Sequence, residues 1–358
     1  MPKVIPFAAL RPLPSYAKQV AAPPYDVLSS DEARVLVQGN PLSFLHVDKA
    51  EINLPEDIDH YDRAVYNQAR ENLDKLVTDQ ILTRELKPCL YIYRLAFNKK
   101  VQTGLACCVG VADYEQGIIK KHELTRSDKE QDRIDHVMAC SAHTGPIFLT
   151  YRTDAASGTK KTPRELMEDW TKARAPIFDF DAGDGVKHTV WIVDDADAIN
   201  LMSESFAEIP YFYIADGHHR SAAAATVAHQ AGAEGANFLA VVFPDDELTI
   251  MDYNRLLQDL NGHTPESFLA ALEALFTIEK KAEPVKPNKI NTFGLYLKGE
   301  WYLLTLKAPL PADVVDGLAV SVLQREVLAP IFGIENPQTD KRIDFVGGIR
   351  GTDRKSVV

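Results

Sequence analysis

The sequence has no surplus of positive charge. Its 39 Lys and Arg stand against 51 Asp and Glu, a formal balance of 39 − 51 = −12 at pH 7. Proteins whose main business is gripping nucleic acid neutralise phosphates with clustered cations, so this balance argues against nucleic acid as the principal ligand. Long apolar runs are also missing. Stretches such as Phe238 to Phe243 fall far short of the roughly 18 to 20 residues of a membrane span, and Met1 to Leu10 lacks a basic segment ahead of an apolar one. The expectation is a cytoplasmic protein with no membrane segment.

Cysteine is scarce. Cys89, Cys107, Cys108 and Cys140 form no C-x-x-C pair, which removes the usual signature of a zinc knuckle and leaves them as buried, reduced thiols. The phosphate loop G-x-x-x-x-G-K-[ST], the dinucleotide fingerprint G-x-G-x-x-G, the H-E-x-x-H zinc helix and the G-x-S-x-G elbow are all absent. The familiar nucleotide and hydrolase folds therefore lose their usual support. What remains is 46% hydrophobic and 25% charged, the composition of a globular chain long enough for two domains.

The first fifty or so residues are rich in proline, which lacks a donor and favours extended neighbours. Val4 to Phe7 and Phe44 to Val47 read there as short strands. From Ile58 to about Leu82 the residues Tyr61, Val65, Ala69, Leu73 and Leu76 recur at helical spacing. Leu90 to Phe97 and Thr103 to Tyr114 read as a strand pair joined through Asn98-Lys99-Lys100. Ser127-x-x-Glu130 reads as a capping box opening a helix to about Ala142. Beyond Gly145-Pro146 come a strand (Ile147 to Tyr151), a polar stretch (Ser157 to Lys161), and a helix. A strand (Thr189 to Val193), a helix and the strand Tyr211 to Ala215 follow. A helix is expected from Ser221 to about Ala231, then strands at Phe238 to Phe243 and Leu248 to Met251. The last part reads as a helix (Pro265 to Leu275), strands near Phe293 to Leu297 and Trp301 to Leu306, and a helix from about Ala312 to Leu328. The alternation predicts a mixed α/β fold.

The strongest local signal is Asp216-Gly217-His218-His219-Arg220, set between a strand and a helix. Gly217 permits a tight turn, and the helix aims free N–H groups and its positive dipole end at an anion. Arg220 and the imidazoles add donors, and the combination suits a phosphate. Asp216 has four open roles: capping the helix, orienting a histidine, holding Mg²⁺, or accepting a substrate proton. A second signal runs from Lys121 to Arg133. Lys129, Arg133 and His136 lie at i, i+4 and i+7, a face that suits a phosphate or carboxylate clamp, with a solvated face of mixed-sign pairs as the alternative. Asp252 to Arg255, Pro23 to Asp26, His143 to Pro146 and Asp184 to His188 read singly as turns or strand ends.

Taken together, Ala22-Pro23-Pro24-Tyr25-Asp26-Val27, Asn40-Pro41-Leu42-Ser43-Phe44-Leu45, Lys121-His122-Glu123-Leu124-Thr125 with Lys129-Glu130 and Asp132-Arg133, Thr144-Gly145-Pro146, Ala215 to Arg220 and Asp252-Tyr253-Asn254-Arg255 resemble the prokaryotic family called domain of unknown function 1015. The resemblance runs to about Gly351. In order, Val4 to Phe7 with Leu10-Arg11-Pro12, then Asp216 to Arg220, then Asn254-Arg255, are also similar to the boxes of the ParB and sulfiredoxin superfamily, which includes free-serine kinases. That likeness implies a ParB/sulfiredoxin-like core across residues 1–260 with an inserted region at about 30–209, then a smaller α/β region at 261–352. Sulfiredoxins carry a reactive cysteine where this sequence has His218, which argues against sulfinic-acid reduction. Family members normally continue further, and residues 353–358 back-translate into the start of a common sequencing adapter followed by a stop codon. The expectation is an artefactual end on an incomplete C-terminal region, which resequencing the locus tests.

The functional expectation is a nucleotide-dependent phosphotransferase acting on a small metabolite hydroxyl, free serine or a related amino acid first. Gly217, His218, His219, Arg220 and Arg126 hold nucleotide phosphates, with Asn254 and Arg255 added by the resemblance. Asp216 orients the acceptor or takes its proton, with Glu123 the alternative base, while Lys129 and Arg133 stabilise charge on the transferred group. Mg²⁺ arrives with ADP or ATP rather than on a protein metal motif, Asp216 being the one side chain offered to it. Two rivals stand beside this reading: a ParB-like nucleotide-binding regulatory module without metabolite chemistry, and a phosphoester hydrolase at the same site.

Overall fold

In a computed structural model, residues 1–123, 125–155, 161–233 and 235–347 are described. Leu124, most of the polar stretch before Lys161, and the suspected adapter residues 353–358 lie outside them. The chain divides into two compact units, Met1–Thr249 and Ile250–Val358. Both combine helices with sheets, and the fold is mixed α/β.

The first unit opens with Leu10–Pro12 (β1) paired antiparallel to Leu82–Arg84 (β2). The expected strand at Val4 to Phe7 is realised as two single bridges, Ile5 to Cys108 and Phe7 to Cys89. The expected strand at Phe44 to Val47 is instead a short helix, Leu45–Asp48. Local polar bonds decide this: Asn40 donates to Gln19 O at 2.8 Å and accepts from Leu42 N–H, and the Ser43 hydroxyl accepts from Leu45 N–H at 3.4 Å. The long helix spans Arg63–Thr78, opened by Asp62, whose carboxylate accepts from Ala64 N–H at 2.8 Å. Val65, Ala69, Leu73 and Leu76 are buried at the expected spacing, while Tyr61 stays outside the helix and exposed.

Leu90–Phe97 (β3), Lys100–Gly110 (β4), Ile119–Lys120 (β5), Ile147–Tyr151 (β6), Phe178–Asp181 (β7), Lys187–Val193 (β8), Phe212–Asp216 (β9) and Asn237–Pro244 (β10) make one sheet in the order β5-β9-β6-β10-β4-β3-β8-β7. The β5/β9 and β6/β10 pairs are parallel and the rest antiparallel. The β3–β4 hairpin turns on Asn98 (φ 49°) and Lys99 (φ 65°), the left-handed pair that matches strand twist in a two-residue loop. Helices Ser127–Cys140, Pro163–Ala173, Ala196–Ala207 and His218–Gln230 alternate with the strands. Phe206, Phe212 and Phe238 are fully buried in the resulting core, each contributing roughly 1.5–3 kcal/mol by area. Cys107 and Cys140 are buried free thiols, and burial pushes both above the ordinary thiol range.

The predicted strand at Leu248 to Met251 does not form: a turn at Asp245–Glu247 precedes an irregular segment in which Ile250 is fully exposed. In the second unit Tyr253–Leu257 (β11) begins a strand that pairs antiparallel with Ile343–Gly347 (β15). Phe276–Lys281 (β12), Thr292–Leu297 (β13) and Glu300–Leu306 (β14) form a separate antiparallel sheet in the order β12-β14-β13. Helix Pro265–Glu273 is opened by a reciprocal Thr264/Ser267 box. The last expected helix starts at Ala319 rather than Ala312, because Asp313 accepts from the N–H groups of Val315 and Asp316 and fixes a turn there. No helix among the described residues is long and apolar enough to cross a membrane.

Candidate functional site

Strand β9 ends at Asp216, and the chain turns at Gly217 with φ 96° and ψ 32°. Helix His218–Gln230 begins immediately, three residues earlier than expected. Ser221 N–H bonds to Gly217 O at 2.9 Å, so the N–H groups of His218, His219 and Arg220 precede the first intrahelical bond and remain available to an anion. Asp216 does not cap this helix; Gly217 occupies the cap position with no side-chain bond. The Asp216 carboxylate instead pairs with Arg220, four residues on.

Arg220 gathers two distant segments onto its own turn. Its guanidinium, only 15% exposed, binds Asp216, donates to Pro146 O, and lies 3.8 Å from Asp26. The Pro23 to Asp26 and His143 to Pro146 segments, read singly as turns, thus converge on the Asp-Gly-His-His-Arg turn. Asp26 keeps 41% of its side chain exposed, yet crowding by protein raises its carboxyl above the ordinary range. Arg220 opposes that rise and the Asp216 charge adds to it. Two carboxylates therefore share one guanidinium at the mouth of a helix N-terminus.

The histidines form a second group. His219 Nε2 accepts the Arg126 N–H at 3.1 Å, which places its own proton on Nδ1. His218 is buried edge-to-face on His122, with ring centroids 4.5 Å apart, and its Nδ1 lies 3.5 Å from Glu123 Oε2. Its Nε2 is buried without a hydrogen-bond partner. Burial depresses both imidazoles, with His122 adding to the effect at His218 and Glu123 opposing it at each. A histidine held below its ordinary value favours the fold while neutral. Its contribution is complete above about pH 6.5 and is lost as pH falls from there through the folded pKa. Thermal melting of the full chain should therefore show Tm falling below about pH 6.5, ahead of carboxylate protonation, with a shallower fall in a His218→Gln/His219→Gln variant. Equal slopes in the two proteins would contradict the assignment.

The neighbouring helix only partly fulfils its expected role. It begins at Ser127, but Ser127 and Glu130 make no capping box. Arg126 is the preceding residue, with its N–H given to His219, and Glu130 accepts the hydroxyls of Thr125 at 2.7 Å and Thr226 at 3.4 Å. The Lys129/Arg133/His136 face is not a solvent-facing clamp. Lys129 is exposed, but Arg133 is buried against Asp132 at 2.7 Å and over the Tyr25 ring at 4.2 Å, while His136 Nε2 meets Val47 O at 3.0 Å. Packing on the Tyr25 and Leu45–Asp48 segments consumes that face. Burial lifts the Tyr25 hydroxyl to about 12, against the pull of Arg133. Arg126 is held by Asp128 through two bonds of 3.3 and 2.9 Å.

Asn254 and Arg255 stand on β11 in the second unit, where the Arg255 guanidinium lies over the rings of Tyr253 and Phe345. Among the described residues no group of three His, Cys, Asp or Glu is arranged to hold a metal ion. Sequence reasoning missed Tyr25 and Asp26 as site residues. The signal available for them was their presence in the motif set that carries the family resemblance.

A family model described as a protein of unknown function, DUF1015, matches residues 4–326. No curated protein and no solved structure matches the chain.

Proposed function

The chain belongs to the DUF1015 family, and from the geometry of its Asp-Gly-His-His-Arg turn we propose a nucleotide-dependent phosphotransferase acting on a small metabolite hydroxyl, with free serine the first acceptor to try. The observation that carries this reading is the open helix N-terminus at Gly217 with the Asp26–Arg220–Asp216 cluster at its mouth. A bare polyphosphate would meet two carboxylates there, which favours a nucleotide carrying its own Mg²⁺ over a free anion. The N–H groups of His218, His219 and Arg220 receive nucleotide phosphate oxygens, and Arg220 offsets their charge.

Asp216 is the acceptor's partner. One oxygen is held by Arg220, and the side chain remains 60% exposed. With ATP as donor, the acceptor oxygen bonds to the γ-phosphorus, the bond to the ADP oxygen breaks, and the hydroxyl proton passes to Asp216. Glu123, beside His218, is the alternative base. Lys129 is the exposed cation available to the transferred group, whereas Arg133 supports Tyr25 and the Asp26 segment from beneath. Serine comes first because free-serine kinases carry a similar Asp-Gly-His box.

The test incubates the full chain with Mg²⁺, serine and either ATP or ADP, and assays phosphoserine. Product that falls at least about tenfold in Asp216→Ala supports the proposal. Absence of product with wild type, or equal product in the variant, overturns it. Nucleotide hydrolysis that ignores serine would move the reading to a phosphoester hydrolase. Stabilisation by CTP without turnover would move it to a regulatory nucleotide-binding module.

A further inference from the structure

A cavity of about 350 Å³ lies away from the turn, between strands β3 and β4, helix Pro163–Ala173 and the Asp245–Glu247 turn. It shares no residue with the phosphate cluster. Strand β6 separates the two along the sheet, with Phe148 pairing across to Asp216 near its start and Tyr151 pairing with Pro244 at its end. The volume sits at the lower end of the roughly 300–1,000 Å³ typical of small-molecule sites.

The lining is amphoteric. Arg94 lies 4.8 Å over the Trp191 ring and donates to two neutral hydroxyls, Thr103 at 3.1 Å and Thr171 at 3.4 Å. Among the described residues it has no carboxylate partner, in contrast to Arg164, held by Asp246, and Lys172, held by Glu168 at 3.1 Å. Glu247 faces the same space, with Oε2 accepting Thr103 N–H at 2.5 Å. Burial lifts its carboxyl above the ordinary range, against that bond and the charges of Arg164 and Arg94, with Asp246 adding to the rise. Arg164 Nε is buried without a hydrogen bond, since Glu247 at 3.6 Å is too far to accept one. Val101 and Met167 supply apolar wall.

A stacked guanidinium flanked by hydroxyls, with no carboxylate within ion-pair distance among the described residues, is a carboxylate receptor. A half-buried carboxylate lining the same cavity is matched by an ammonium. A dicarboxylate or phosphate would satisfy the first group and repel the second. We propose that this cavity binds a small α-amino acid as its zwitterion, with the carboxylate on Arg94 and the ammonium toward Glu247. The site is separate from the nucleotide turn and goes beyond the phosphotransferase reading.

Isothermal titration of the full chain with each common amino acid, and with succinate and inorganic phosphate as controls, tests it. At least one amino acid is expected to bind while the controls do not. Its affinity should fall at least about tenfold in Arg94→Lys, Arg94→Met and Glu247→Gln and, for any amino acid other than serine, stay unchanged in Asp216→Ala. Circular dichroism checks each variant's fold, and Arg94→Lys keeps the charge and most of the stacking stem should Arg94→Met fail to fold. Three results overturn the proposal: no amino acid bound at up to about 10 mM, a control bound as tightly as any amino acid, or affinity lost in Asp216→Ala and retained in the Arg94 variants. The last would assign the amino acid to the turn and leave the phosphotransferase reading standing.

Discussion

Arg220→Ala is expected to destabilise the protein by about 2–3 kcal/mol at neutral pH and, on the proposed phosphotransferase reading, to weaken nucleotide binding by more than about a hundredfold. The guanidinium is mostly buried and serves Asp216, Pro146 O and Asp26 at once. Removing it leaves two facing carboxylates and an orphaned carbonyl. Breaking a fully buried pair costs about 3–5 kcal/mol; the lower figure applies here because Asp216 and Asp26 can turn toward solvent. For binding, removing the cation that offsets the phosphate charge leaves two uncompensated carboxylates facing it, and truncating one partner of such a charge cluster costs about 2–5 kcal/mol, which reaches a hundredfold at about 2.7 kcal/mol.

The variant also carries a pH signature. Asp26 already has a raised carboxyl in the fold, and Arg220 is the largest of the groups that restrain it. Without that restraint the folded value rises further. A raised carboxyl costs stability at pH above its folded value, and the cost disappears as pH falls below its unfolded value, near about 3.9. The stability difference between wild type and Arg220→Ala should therefore be largest at pH 7 and shrink toward pH 4.5, read by urea denaturation at each pH. A pH-independent difference would mean that lost packing, rather than the carboxylate pair, sets the cost. Arg220→Lys should recover part of the stability and little of the nucleotide affinity, since a point charge cannot serve three acceptors.

Local chemistry made much of the fold legible. Asn98-Lys99 between two alternating runs specified a hairpin because both residues accept positive φ, and Gly145-Pro146 marked the entry to β6. The Asp-Gly-His-His-Arg turn was legible as a strand end feeding a helix. Its surroundings were not, because they arise from contacts between distant segments. Spacing placed Lys129, Arg133 and His136 on one helix face, but periodicity carries no information about whether a face meets water or another element. Here Tyr25 and Val47 cover most of it. Ser127-x-x-Glu130 had the form of a capping box, yet His219 takes the N–H just before the helix and Thr226 engages the glutamate. Both partners come from the helix that carries the site. Asp26 was invisible as a partner of Arg220 for the same reason: a proline-rich turn near the start of the chain reads as turn chemistry until another segment packs against it.

Gly217 links local geometry to the proposed function most directly. At φ 96° it lies beyond the usual left-handed well of residues with a side chain. A Cβ added there would stand 3.2 Å from Arg220 Nε and 3.3 Å from Cζ. Gly217→Ala is expected to cost about 1–2 kcal/mol of backbone strain. Gly217→Val should cost more, because a branched side chain crowds both the backbone and the guanidinium. The consequence for function is larger than that for stability. Relief of the contact must move either the first turn of the helix or Arg220, and displacement of catalytic contacts by about 1 Å lowers rates on the order of a hundredfold. Phosphoserine formation by Gly217→Val should therefore fall about a hundredfold, with folded protein still recovered and Tm only a few degrees lower. Gly217→Asn, whose side chain tolerates left-handed backbone, should retain more activity than Gly217→Ala despite its greater bulk. Wild-type turnover in Gly217→Val would remove the turn as the site of chemistry, and an Ala variant more active than Asn would show that crowding of Arg220, rather than backbone strain, governs the position.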